Sequence, residues 1–536
     1  ILSPKTFFDV KAAYFWGYYY LDPEVGKEAA SYFSLDENFL YGSAGYFFYA
    51  DRTRLQANAS LTHYAEDFIK GNHDFKFGVE VERSTVRNRY GYTGPNHMTY
   101  QSYGNPVVGF EPYLAYQYEG YDTNTRYTRF EAFAQDSWQI TPRININLGA
   151  RFSQNWGDIK DLGTVYKTNR IAPRLGFTFD LFGDKSTVFK FHFGQFTEAM
   201  LSSYHDRLNP AEVYSDSISY YWDGVKWVEF DRTIHEELYH LADDIKHPYM
   251  NQFTVSLERE LFRDASFSIS YVYRDWKNII SWYDTQSTYR IVNIAVPDPI
   301  NKTFEVYERT SGSAHYYILD NIEEGQAWVL GKPYRRYGGL ELLFHKRFSN
   351  KWQLLASYVY SKAWGTQDNG FADDIGWNSR DGLWPGDPNY WINADGNLTF
   401  DPTHMVKIQG TYILPFDIAF NAYFRAVTGN SWTTRYRTRR LAQGRVTFYA
   451  ETRGANHYPM QKILDMRLEK IVRLADKYRL GLMLDVFNVF NVNTVTSWGT
   501  RIDYDWLPGE WPSTDGHQLT AIVRPRQLRL GVRLIF

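Results

Sequence analysis

No cysteine occurs in this chain, so a disulfide framework, cysteine metal sites and a cysteine nucleophile are all excluded. Long apolar runs are missing too: no stretch approaches the eighteen or so consecutive apolar residues that a bilayer-spanning helix requires. Neither charge sign dominates. The net charge is −3, which gives a nucleic-acid partner no electrostatic support. Glycine-rich phosphate loops in a strand-to-helix setting are absent, and no Ser-His-Asp set can be assembled without geometry. The sequence opens at Ile1, with no initiator Met and no charged-then-apolar leader, and reads as a processed or incomplete chain.

Aromatic residues, in contrast, make up 18% of the chain, with 44 Tyr, 37 Phe and 17 Trp, although its mean hydropathy is −0.49. A soluble core of this size would be built mainly from Leu, Val and Ile. A membrane barrel needs only every second strand residue to be apolar, and it concentrates Tyr and Trp at its two interfaces. The chain ends on "QLRLGVRLIF", where Leu528, Leu530, Val532, Leu534 and Phe536 alternate with Gln527, Arg529, Gly531 and Arg533. "RININLGARF" repeats the pattern, with Ile144, Ile146, Leu148, Ala150 and Phe152 opposed to Arg143, Asn145, Asn147, Gly149 and Arg151. "STVFKFHFGQF" sets Val188, Lys190, His192 and Gly194 against Phe189, Phe191, Phe193 and, after a slip, Phe196. These segments exceed the usual soluble strand and suit a tilted membrane crossing.

Connections alternate in length. Tight turns fall at 140–144, 181–187, 347–352 and 414–417, whereas 198–246, 285–334, 364–397 and 428–461 are long and rich in Trp, Tyr, Asp and Gly. The chain therefore reads as an all-β transmembrane antiparallel β-barrel over 1–536, with roughly sixteen to eighteen strands, short periplasmic turns and long extracellular loops.

Several segments resemble the TonB-dependent receptor family, and its Oar-like outer-membrane subgroup in particular. These are "RFEAFAQDSWQITPRININLGARF" (129–152), "NRIAPRLGFTFDLFGDKSTVFKFHFGQF" (169–196), "RRYGGLELLFHKRFSNKWQLLASYVYSKAWG" (335–365), "DPTHMVKIQGTYILPF" (401–416), "ILDMRLEKIVRL" with "LMLDVFNVFN" (463–491), and the terminal strand. The resemblance implies a barrel of about 22 strands, closed by an N-terminal plug that carries a TonB box, and no covalent chemistry or cofactor. Neither plug nor box is recognisable here. The plug, and the first few strands with it, would lie upstream. Implied partners are outer-membrane lipid, a TonB-type energy complex acting through the plug, the barrel-assembly machinery reading the terminal Phe536, and an unidentified small-molecule, peptide or glycan ligand. The alternative is a passive porin or a structural or adhesive surface barrel without energy coupling. A soluble all-β enzyme or lectin comes third.

Candidate ligand contacts are the loop tryptophans Trp222, Trp227, Trp377, Trp384, Trp391, Trp498 and Trp506, since aromatic faces beside polar groups suit sugars, peptides or organic metal complexes. They could equally form an interfacial girdle and pack the loops. Arg143, Asn145, Asn147, Arg151, Arg529 and Arg533 are expected to face the lumen, because charge on the lipid side is costly; there they would meet the plug or line a wet channel. Asp368, Asp373 and Asp374 could supply calcium ligands, although they do not match an EF-hand and a solvated loop accounts for them as well. "IHEELYH" is not a zinc motif, because His235 and His240 stand five apart, and a solvated loop helix is expected. His404 reads as a structural residue near a turn.

Overall fold

The computed structural model describes residues 2–198, 208–209, 217–233, 239–312, 316–368, 383, 385–399, 401–473, 477–503 and 518–536. Its main element is a seventeen-stranded antiparallel sheet of sixteen long strands and the two-residue Gly396–Asn397. In chain order the long strands are β1 Thr6–Leu21, β2 Tyr46–Ala65, β3 Asn72–Tyr92, β4 Tyr121–Thr141, β5 Ile144–Ile159, β6 Gly163–Asp180, β7 Thr187–Thr197 and β8 Tyr249–Phe262. They continue with β9 Ala265–Lys277, β10 Arg335–Ser349, β11 Trp352–Gly365, β12 His404–Leu414, β13 Ile418–Val427, β14 Gln461–Arg473, β15 Arg479–Phe487 and β16 Gln527–Ile535. Each pairs with its sequence neighbour, an up-and-down meander. The wall does not close into a ring: among the described residues β1 pairs only with β2, and β16 only with β15.

The two faces of the wall are chemically distinct, and the registers follow them across strands. On β3 the outward residues are Phe75, Phe77, Val79 and Val81, level with Ala134, Ala132 and Phe130 on β4. Phe77, Val79 and Val81 stand about half exposed, which suits contact with lipid rather than water. The opposite face of the same two strands carries Glu80, Glu82, Arg129 and Glu131, so this is the lumen side. One outward acid, Asp136, lies near the turn end of β4, where His73 meets it at 2.7 Å between the rings of Phe75 and Trp138. On β7 the pairing runs unbroken from Thr187 to Thr197, so there is no slip. Phe196 stays on the lumen side with His192 and Gly194.

One end of the wall is bounded by tight turns. The two-residue turn between β10 and β11 places Asn350 and Lys351 at φ 53° and 70°, the paired positive values that match the strand twist of a hairpin. At the other end the connections are long and folded, with one exception to the alternation read from sequence: Lys160–Leu162 joins β5 to β6 in three residues.

The long connections form their own sheets. A six-stranded layer combines Ser31–Ser34, Phe39–Gly42, Met98–Asn105, Gly109–Tyr118, Ser217–Trp222 and Trp227–Thr233, drawn from three loops. The largest apolar core among the described residues is also in the loops. Val296, Phe304 and Val306, from the hairpin Tyr289–Val296/Lys302–Arg309, pack with Tyr390, Phe448 and Ile502, from three further connections.

Candidate ligand site at the loop end of the barrel

The lumen face carries its charge as paired ladders. Arg129 donates to Glu80 at 2.7 Å and to Glu82 at 2.9 Å, while Arg151 donates to Glu131 at 2.5 Å and the Ser153 hydroxyl donates to the same carboxylate at 2.7 Å. At the far edge, Asp485 accepts from Arg467 at 2.5 Å and from Arg529 at 2.7 Å, and Arg533 pairs with Glu469. Arg151, Arg529 and Arg533 thus stand on the face that bears their acidic partners. Asn145 is on the same face and donates to the Ser137 hydroxyl at 3.2 Å; Asn147 sits there beside Gly176. Arg143 is placed differently. It precedes β5, and its guanidinium donates to the carbonyls of Asp180 and Leu181 at 3.0 and 2.5 Å, tying two neighbouring turns together.

At the loop end, Trp222 and Trp227 are cross-strand neighbours with centroids 5.2 Å apart, and Trp227 lies 5.5 Å from Tyr100. Trp391 donates its indole N–H to the Pro385 carbonyl at 2.6 Å and rests on the loop core. Trp498 meets Trp432 edge-on at 5.4 Å and Tyr458 at 5.1 Å. Trp377, Trp384 and Trp506 lie outside the described residues.

Beside this aromatic triad is a cavity of about 370 Å³ lined by Asn430, Trp432, Arg435, Tyr449, Arg453 and Tyr458, among others. Its size is in the range of small-molecule sites. Trp432 and Tyr458 were not singled out from sequence, because they come from a loop without periodicity and become neighbours of Trp498 only through folding.

Asp368 does not present itself as a calcium ligand. Its carboxylate accepts from Arg453 at 2.6 Å and from the Thr399 hydroxyl at 2.7 Å, and both members of the ion pair are almost wholly buried. Cation coordination there would require displacing a buried guanidinium. Asp373 and Asp374 lie outside the described residues, and among those described no group of three or more His, Cys, Asp or Glu is arranged for a metal. His240 belongs to the short strand Tyr239–Leu241, not to a helix, and stacks 3.8 Å from Tyr316; residues 234–238, with His235, lie outside the described residues. His404 opens β12, and its Nδ1 meets the Tyr358 hydroxyl at 2.9 Å.

Burial controls ionisation in the loops. Asp387 caps the short turn Pro388–Trp391 by accepting from the Asn389 N–H at 2.8 Å, and burial raises its pKa to about 6. His247 is lowered to about 4 by burial, for which its hydrogen bond to the Glu198 carbonyl only partly compensates.

A two-faced antiparallel wall, lipid-compatible outside and charged inside, with elaborated loops at one end, defines a transmembrane barrel. The outer membrane beta barrel domain model matches residues 11–161 and 153–435, and the chain belongs to that family, in the bacterial outer membrane. The chain is 25% identical over 544 residues to the TonB-dependent transporter Oar of Myxococcus xanthus, covering 88% of this chain and 47% of the relative. The same fold is found in the outer membrane transporter YddB from Escherichia coli (TM-score 0.61, 11% identity, 99% of this chain and 61% of that one). The siderophore receptor PiuA from Acinetobacter baumannii shares it as well (TM-score 0.52, 11% identity, 100% and 62%). The chain thus spans about half the length of the curated relative.

Proposed function

We propose that this chain is the barrel portion of a TonB-dependent importer, which captures a ligand on its external loops for energised uptake across the outer membrane. The observation that carries the proposal is the likeness to a TonB-dependent transporter across nearly the whole of this chain. The lumen ladders support it: most of their charges are already paired along the wall, leaving a firm polar surface against which a plug could seat. Binding and passage, not covalent chemistry, are the activities assigned, as for the transporters and receptors it resembles.

The free edges of β1 and β16 set what this reading has to join. Hydrocarbon cannot satisfy a row of bare N–H and C=O groups, so the barrel in the membrane must join them. Sixteen alternating strands leave β1 and β16 antiparallel, so they can meet directly or through an even number of further strands. We assign the second arrangement, with a plug in the lumen.

Intact mass and N-terminal sequence of the native protein, extracted from its membrane, test the reading. A species larger than 63.0 kDa by a plug-sized region with a TonB-box-like segment supports energised import. A native species beginning at Ile1 overturns it in favour of a passive or structural barrel.

A further inference from the structure

The lumen face changes character toward the loop end of β2, β3 and β4. Lower on the wall, successive inward positions carry Arg54, Gln56, Glu80, Glu82, Arg129 and Glu131. Above Arg52 the inward positions hold no charge. Ala50, Asn88 and Thr123 come first, and then aromatic rings, with Phe48 opposite Tyr90, Tyr46 opposite Tyr92, and Tyr90 opposite Tyr121. The registers are free of bulges over this span, so these rings share the face of the charged ladder and not that of the lipid-facing Phe77 and Val79.

The rings form a continuous set. Tyr46 and Tyr90 stack at 5.4 Å and 13°, Tyr90 and Tyr121 at 5.5 Å and 15°, and Phe48 lies 6.2 Å from Tyr90. Tyr92 meets Tyr90 at 5.2 Å and stacks at 4.7 Å and 22° on Tyr118, which belongs to the six-stranded loop layer. That layer also holds Tyr100, Trp227 and Trp222, so one sheet carries two of the loop tryptophans and the last ring of the lumen set.

Resting on the reading that the external loops capture a ligand, we infer that the rings on Tyr46, Phe48, Tyr90, Tyr92, Tyr118 and Tyr121 are the lumen-side binding track for a neutral, polyhydroxylated ligand, an oligosaccharide. Three features point to that class. Tyr46, Tyr90 and Tyr121 stand in one near-parallel rank and Tyr92 with Tyr118 in a second, Tyr92 lying at 77° to Tyr90, a repeating surface suited to a chain of similar units. Five of the six are tyrosines, whose phenol edges bring hydroxyls to the aromatic surface, the combination that binds C–H-rich rings bearing many hydroxyls. The track also contains no charged residue. An anionic chelate would be served by cations, which on this face of the three strands begin only lower down, at Arg52; Arg87 and Arg89 lie on the opposite face, paired with Asp122 and Asp51. An interfacial girdle faces lipid, and these residues do not.

Isothermal titration of the native full-length protein in detergent tests the track, with maltohexaose and cellohexaose as neutral probes, ferric citrate as an anionic chelate, and an uncharged hexapeptide. At least one oligosaccharide is expected to bind. The double variant Tyr90→Ala/Tyr92→Ala should weaken it about tenfold or more, while Tyr14→Ala, on the outward face of β1, leaves it unchanged. Heat-modifiable gel migration checks that each variant is folded. If the alanine variant does not fold, Tyr90→Phe/Tyr92→Phe keeps the rings and should still lose affinity several-fold through the missing hydroxyls. No oligosaccharide binding, or binding indifferent to these residues, overturns the proposal. Track-dependent binding of the chelate or the peptide overturns the saccharide assignment while leaving ligand capture intact. Oligosaccharide binding without energy-dependent uptake would uphold the track and refute the importer.

Discussion

Nδ1 of His247 faces two donors. The Thr168 hydroxyl approaches at 2.9 Å and the Asn155 amide at 3.3 Å, while Nε2 donates to the Glu198 carbonyl at 2.8 Å. The Asn155 amide is held in this orientation because its oxygen accepts from Tyr127 at 2.6 Å. A second proton on the ring would point at donors, so the fold holds the imidazole neutral, with its pKa near 4. An unfolded segment would take up that proton near pH 6.5, before the folded one does, so stability is complete above that value and declines as pH falls toward 4. The loss reaches on the order of 3 kcal/mol. Hydrogen exchange over 239–249, corrected for intrinsic rates, should show protection falling between pH 6.5 and 4.5, and His247→Gln should flatten that slope. Asp387 behaves oppositely. Its raised pKa means the unfolded chain releases its proton first as pH rises, so its stabilising contribution is whole below pH 4 and is lost by pH 6 and above. Asp387→Asn retains the acceptor for Asn389 without the buried charge, and should increase protection of 385–394 at pH 7.5 by on the order of 1–3 kcal/mol in the same exchange measurement. Neither effect was legible in the sequence, where His247 and Asp387 are two polar residues in loops. Their neighbours come from other strands and loops, and only folding brings them within reach.

Individual strands could be read directly. Alternation marked β5, β7 and β16, because a wall with lipid on one side and a polar lumen on the other imposes a period of two at every position. The tight turns were legible for a related reason: Pro, Gly, Asn and Asp supply backbone conformations that few other residues adopt. The short link Lys160–Leu162 and the position of Phe196 were misread, since a loop length carries no chemical signature and phenylalanine can face either way at the end of a strand. Facing has a measurable consequence. On β7, Phe191 points outward and its neighbour Lys190 points inward, pairing with Glu258 at 2.8 Å where both side chains are about half exposed. Phe191→Arg should cost about 2–4 kcal/mol in urea unfolding from lipid vesicles, since it puts charge in hydrocarbon. Lys190→Gln, which removes only a solvated pair, should cost less than about 1 kcal/mol. Equal costs at the two positions would contradict the assigned faces. Deeper on the same side, Glu131 is buried and accepts from Arg151 and Ser153, so Glu131→Ala strands guanidinium charge and should cost about 3–5 kcal/mol in the same experiment.

The whole molecule places its apolar packing where a soluble protein would not. The wall uses its apolar residues against lipid, so the buried core moves to the loops, where a hairpin between β9 and β10 meets Leu383, Tyr390, Ala394, Phe448 and Ile502. That core could not be read from sequence because no single loop contains enough of it to show a pattern. The wall in turn depends on what joins β1 to β16. None of these 536 residues is cysteine, so a disulfide between β1 and β16 must come from introduced residues, which makes this join directly measurable. Leu530→Cys on β16, combined in turn with Phe8→Cys, Val10→Cys and Ala12→Cys on β1, samples the outward face of both edges. If further strands intervene, as we propose, every pair in the native protein stays reduced under mild oxidation, because a disulfide needs Cα atoms within about 7 Å. As a positive control, Leu530→Cys with Leu484→Cys on the paired strand β15 should cross-link, since those two residues face each other in the register. Cross-linking of any β1–β16 pair would instead show sixteen strands closing on themselves, a narrower lumen with less room for a plug, and would favour a passive pore over an energised importer.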